Sequence, residues 1–175
     1  MMRMRIPRWA WIALGVLVIV GAPIAWYLGS PLFINTVVDE PFPITADAPT
    51  SGATPADATG GTVVARGTFA GADDFHKGAG TATVYRAGQT LILRLDAFTV
   101  TNGPDLHVIL TKHASPKTSR DVADGYLEVA KLKGNSGSQN YALPAGVNLR
   151  EYRTVVIYCK PFHVVFATAP LSASN

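Results

Sequence analysis

The stretch Thr154–Leu171, TVVIYCKPFHVVFATAPL, decides the fold. Successive side chains of a strand point to opposite faces, so Val155, Ile157 and Cys159 share one face and Val156 and Tyr158 the other. Lys160-Pro161 interrupts the run. His163, Val165 and Ala167 then begin a second alternation against Val164 and Phe166. The pattern predicts two strands joined by a tight corner. The chain's one cysteine stands at that corner, with His163 four residues on.

Working back from this pair, short alternating runs recur from Thr62 onward, punctuated by turn residues. Val63–Phe69 is the first. Gly80–Arg86 and Thr90–Phe98, joined through Ala87-Gly88, read as a hairpin. Asn102-Gly103-Pro104 signals a turn. Asp105–Thr111 follows as a strand, with Leu106, Val108 and Leu110 inward and His107, Ile109 and Thr111 on the opposite face. Lys112–Gly125 is polar and reads as a loop. Tyr126–Leu132 and Gln139–Leu143 read as strands, and Val147–Arg153 as a brief helical turn. About eight strands in ~110 residues, with no long helical pattern between them, predict an all-β antiparallel sandwich over residues 62–175.

The region before Thr62 has a different character. Residues 1–8 are a basic tail carrying Arg3, Arg5 and Arg8. Trp9–Leu28, WAWIALGVLVIVGAPIAWYL, is 20 residues without a charge. As a helix it would be about 30 Å long, the thickness of a bilayer's hydrocarbon core. Trp9, Trp11, Trp26 and Tyr27 lie at its ends, where amphipathic rings favour the headgroup level. The arginines precede it, and the 20 residues after it carry no Lys or Arg. The positive-inside bias therefore predicts a single-pass cell-membrane anchor, N-terminus cytoplasmic and domain extracytoplasmic. The alternative is a cleaved signal peptide; the apolar region is long for one, and no small-x-small site stands near Ala22–Ser30. Residues 29–61 read as a proline-bearing juxtamembrane segment and then a disordered linker, ADAPTSGATPADATGG, which would let the domain stand off the membrane. Phe33, Ile34 and Phe42 could rest on the membrane or on the domain.

Composition narrows the function. The net charge is +3, and the twelve Lys/Arg from Thr62 onward are dispersed among eight Asp/Glu. With no basic run or aromatic-interleaved stripe, nucleic acid is not an expected partner. One cysteine makes no internal disulfide, so the core must hold the fold. Gly-x-Ser-x-Gly, His-Glu-x-x-His and a phosphate-cradling glycine loop are all missing, which argues against a conventional hydrolase or transferase.

The remaining candidates are Cys159 and the histidines. Free cysteine is among the most buried residue types, so Cys159 as a small core hydrophobe competes with Cys159 as a redox thiol. Cys159 with His107 could bind a cofactor, and His76, His107 and His163 are candidate metal ligands. Such a set suits copper, zinc or haem iron, and a bare thiol needs no cofactor. No methionine follows Met4, which removes the usual axial ligand of a blue-copper centre. His113 lies in the polar loop. Asp73 and Asp74 read as turn formers.

With these residues laid out, Thr62–Leu171 resembles the electron-transfer DM-thirteen domain. The resemblance runs through Gly67-Thr68-Phe69, His76 with Gly80, Leu95-Asp96-Ala97-Phe98, and Asn102-Gly103-Pro104-Asp105-Leu106-His107-Val108. It continues through Gly137–Tyr141, Pro144, Val156-Ile157-Tyr158-Cys159, Phe162, Phe166 and Ala169-Pro170-Leu171. Leu32-Phe33 and Asp39-Glu40-Pro41-Phe42-Pro43 are similar to the lead-in of anchored bacterial members. The resemblance implies a β-sandwich at the cell surface with a role in electron transfer or oxidative modification of surface proteins. It implies that Cys159 is the characteristic cysteine, as a naked thiol or a ligand to a prosthetic group such as haem. It also implies an unidentified redox or surface protein as partner, because the chain has no room for a haem-binding partner domain. The other reading is a non-catalytic surface-binding or structural module, with Cys159 in the core and Lys112–Gly125 as the contact loop.

Overall fold

The structure, a computed structural model, describes residues 7–30, 34–42 and 61–174. Ten strands form two antiparallel sheets of five. They are β1 (Thr62–Thr68), β2 (Ala70–Gly71), β3 (Gly78–Ala87), β4 (Thr90–Val100), β5 (Leu106–Thr111), β6 (Tyr126–Lys131), β7 (Ser136–Ala142), β8 (Thr154–Cys159), β9 (Val164–Pro170) and β10 (Ser172–Ala173). One sheet runs β10-β1-β3-β4-β7 and the other β2-β9-β8-β5-β6. The all-β sandwich is thus observed. The two strands beyond eight, β2 and β10, have two residues each and so carry no readable alternation.

Alternation builds the core. Leu93, Leu95, Val108, Leu110, Val155, Ile157 and Cys159 all point into one buried cluster between the sheets. Phe69 and Phe98 meet edge to face in it at 5.0 Å. The opposite face of the second sheet is covered as well, where Ile109, Val156, Tyr158 and Val165 pack with Val122. Val122 belongs to a five-residue helix, α2 (Ser119–Ala123), inside the stretch read as loop. Thr118 and Asp121 close a capping box that starts it. The Val147–Arg153 turn is one helical turn, closed by Tyr152 N–H donating to Asn148 O at 2.9 Å.

One parity differs from expectation. Ala167 joins the inner cluster rather than the face of Val165. Ile157 pairs with Ala167 and Tyr158 with Val165, so Phe166 is an extra residue, a bulge that flips the alternation.

A 22-residue helix, α1 (Arg8–Gly29), precedes the sandwich. Trp9–Tyr27 has a mean hydropathy of 2.0 and is nowhere buried. Among the described residues it is the one helix long and apolar enough to cross a membrane.

Residues 34–42 lie along β7 as a strap. Val38 N–H donates to Ser136 O at 2.9 Å and Glu40 N–H to Ser138 O at 2.8 Å. The Glu40 carboxylate receives Lys133 Nζ at 2.7 Å and Asn140 N–H at 2.8 Å. Phe42 packs edge to face on Tyr85, centroids 4.6 Å apart. Phe42 therefore rests on the domain, and the chain is tied down before the linker begins. Residues 43–60, which include all of that linker but Gly61, lie outside the described residues, as do Phe33 and residues 1–6.

Candidate functional site

β8 carries the thiol to the end of its sheet. Antiparallel pairing sets Cys159 beside Leu106 of β5 and Val164 of β9. The side chain is 0% exposed. Its S–H donates to Pro104 O at 3.0 Å. Asp105, the residue after that proline, has φ +49°, and its carbonyl accepts Lys160 N–H at 3.4 Å. Two turns, 102–105 and 160–163, thus close over the sulfur. Burial pushes the thiol above its ordinary range; the Phe162 N–H aimed at the sulfur opposes this and the Asp105 charge adds to it. At neutral pH Cys159 is a protonated, enclosed thiol.

His107 sits one residue from Leu106 and pairs with Tyr158, so it faces away from Cys159. Its Nδ1 is 2.8 Å from Glu128 Oε1 and its Nε2 is 3.3 Å from Asp105 Oδ1. This buried nitrogen has a charge neighbour in the Glu128 carboxylate but makes no hydrogen bond. Lys131 holds Asp105 at 2.8 Å and Lys160 holds Glu128 at 2.8 Å. These lysines are the main reason both carboxyls lie below their ordinary range. The result is a closed row, Lys131–Asp105–His107–Glu128–Lys160, on the outer face.

The other histidines lie apart. His163 has φ +54° in the β8–β9 turn, with Nδ1 3.2 Å from Tyr158 Oη. His76 lies in the 72–77 loop, its Nδ1 2.7 Å from Asp73 Oδ2 and its ring 4.3 Å from that of Phe166. His113 is near the α2 cap, 4.0 Å from Asp121. The fold brings His163 and His107 to the Tyr158 side of the sheet and leaves Cys159 on the other.

The donor set bears on a metal or haem. Among the described residues, no three His, Cys, Asp or Glu side chains stand together in a metal-binding arrangement. The Cys159 sulfur is enclosed and its hydrogen engaged by a carbonyl. The residues present do not fit a metal or haem held at Cys159 in this conformation.

Next to the thiol's cover lies a cavity of about 340 Å³. Leu106, the strand partner of Cys159, lines it with Gly103, Asn102 and Lys131, and α1 contributes Tyr27 and its C-cap Ser30. Sequence reasoning missed the Pro104 carbonyl and the Phe162 amide. They are backbone groups delivered by turns, and no side-chain pattern marks them.

The molecule is therefore an antiparallel β-sandwich enclosing a lone thiol at one end, preceded by an apolar helix. The family model described as Electron transfer DM13 matches residues 68–171, well over half of the 175-residue chain. The chain belongs to the electron transfer DM13 family. No curated protein and no solved structure matches it.

Proposed function

We propose that this chain is a membrane-anchored, extracytoplasmic electron-transfer module whose working group is the bare thiol of Cys159. The observation that carries the reading is the position of that thiol. It ends its strand at the margin of the core cluster, and its hydrogen is held by the Pro104 carbonyl of the 102–105 turn. Movement of the 102–105 and 160–163 turns would uncover it without unfolding the sheets. α1, with arginines before it and none soon after, supports a retained anchor and this orientation.

The chemistry is thiol–disulfide exchange with a protein partner. The Cys159 thiolate attacks one sulfur of the partner's disulfide. A mixed disulfide forms, the partner's S–S bond breaks, and the leaving sulfur takes up a proton. A dithiol protein then attacks the Cys159 sulfur of the mixed disulfide with one thiolate, which releases the first partner's reduced thiol. Its second thiol breaks the new disulfide, which returns Cys159 as a thiol and leaves that protein with an internal disulfide. A single cysteine suffices for such a shuttle.

The alternative, a non-catalytic surface module, draws on the zero exposure of Cys159 and its place in the core cluster. Thiol labelling of the full chain in nanodiscs across a denaturant series separates the two. Labelling at low denaturant that is independent of denaturant reports local opening of the turns and supports the shuttle. Labelling that follows global unfolding throughout means that Cys159 is a core residue, and the shuttle reading fails. Mass spectrometry of a mixed disulfide with glutathione, absent in Cys159→Ser, completes the test.

A further inference from the structure

One end of the sandwich gathers the 72–77, 101–105, 132–135 and 160–163 loops, and α1 is attached at that same end. Thr101 N–H donates to Lys77 O at 2.9 Å, joining the first two loops. Lys160 N–H reaches Asp105 O at 3.4 Å, joining the second and fourth. Asn35 Oδ1 accepts Asn102 Nδ2 at 2.7 Å and Asn135 Nδ2 at 3.1 Å, so the start of the strap sits among them. Tyr27 and Ser30 line a cavity together with Gly103 and Leu106. Three residues separate Ser30 from Ile34, four Cα steps with a reach of about 14 Å at most.

The same end exposes apolar side chains. Phe75 is 84% exposed, Phe162 57% and Ile34 54%. Among the described residues the only other exposed aromatic of the sandwich is Tyr126, on the outer sheet face. The lysines here carry little free charge. Lys77 pairs with Asp74 at 3.5 Å, Lys131 with Asp105 at 2.8 Å, Lys133 with Glu40 at 2.7 Å and Lys160 with Glu128 at 2.8 Å.

We propose that this end of the sandwich lies against the bilayer surface, with Phe75 and Phe162 entering the interface. The inference rests on the reading of α1 as a retained anchor. Given the anchor, the short tether brings these loops to the headgroup level, where aromatic rings are favoured. The paired lysines mean that the contact does not depend on anionic lipid. The Cys159 end then faces the membrane, so a redox partner meets the thiol at the bilayer surface.

The test uses the full chain in zwitterionic nanodiscs containing brominated lipid, which quenches tryptophan by contact. The native Trp9, Trp11 and Trp26 report on the anchor. Phe75→Trp, Phe162→Trp and, at the far end, Gln89→Trp are then made separately in a background with those three tryptophans replaced by Phe. The expected result is loss of emission and a blue shift for the two loop probes, none for the Gln89 probe, and no change on adding anionic lipid. If the helix tryptophans are quenched while the loop probes behave like the Gln89 probe, the proposal is overturned and the anchor stands. A chain that does not enter the discs overturns both.

Discussion

Cys159 combines two properties that substitution separates: it fills core volume, and it donates to Pro104 O at 3.0 Å. Cys159→Ala removes one buried heavy atom, and the expected cost is about 1 kcal/mol from the lost packing. Cys159→Ser keeps a donor but places a more polar group on a shorter bond, for an expected cost of about 1–2 kcal/mol. Urea unfolding of both variants checks the order. The raised thiol pKa adds a pH signature with a definite sign. The unfolded thiol releases its proton at lower pH than the folded one, so the native state binds more protons over that interval. The contribution is therefore full below the ordinary thiol pKa of about 8.5 and is lost as pH rises beyond it. Cys159→Ala flattens that part of the stability profile. Tyr141, pushed up to about 12 by burial, acts with the same sign at higher pH and is unaffected by the variant. The inward direction of Cys159 and the outward direction of His107 were both legible in the alternation of their strands. The Ala167 parity was not, because a one-residue bulge leaves no trace in composition.

Elements rather than single residues decide how the domain meets its lead-in. The strap was readable only as a proline-bearing segment; its partner is a β7 edge some 100 positions away, and single-sequence patterns do not encode such pairings. The glycines facing it do mark the contact. A Cβ at Gly134 would run into Thr36 O and approach Val38 Cγ2 at 2.8 Å. Gly134→Ala is thus expected to lift the strap while the sandwich core stays folded. Hydrogen exchange checks this: the Val38 and Glu40 amides should lose protection, and those of β8 should keep it. If all amides keep their protection, the strap does not depend on this close approach. The 72–77 loop has its own tie. Asp73 Oδ1 accepts Phe75 N–H at 2.8 Å and His76 N–H at 2.7 Å, and Asp73 Oδ2 meets the His76 ring. The His76 ring and then its amide hold the Asp73 carboxyl down at about 2. Being depressed, it supports loop order fully above the ordinary carboxylate pKa of about 3.9 and loses that support as pH falls toward the folded value. NMR of the Phe75 amide should show order kept at mildly acidic pH, and Asp73→Asn should remove it at neutral pH.

At the scale of the whole molecule, the two ends of the 43–60 segment decide what that segment does. Phe42 packs edge to face on Tyr85, and a Cβ at Gly61 would lie 3.4 Å from Tyr85 Cβ and 3.1 Å from Arg86 O. The described residues on either side of it, Phe42 and Gly61, thus both sit at Tyr85, so the length of the segment between them does not enter the path from helix to sandwich. Its composition, poor in large apolar residues, suits a spacer or a closed loop, so only the strap's docking tells them apart. A spacer sets the distance of the domain from the membrane by its length, whereas a closed loop sets only its own closure entropy. Halving the segment should therefore stabilise the domain by about 0.6 kcal/mol, the logarithmic cost of loop closure. Val38 and Glu40 protection should stay unchanged, and so should the distance of the domain from a nanodisc surface measured by energy transfer. A stand-off that shortens in step with the deletion would instead show that the strap releases in the membrane and that the segment bears the tether. The strap variant Gly134→Ala supplies the contrast, because with the strap lifted the same deletion should begin to move the domain.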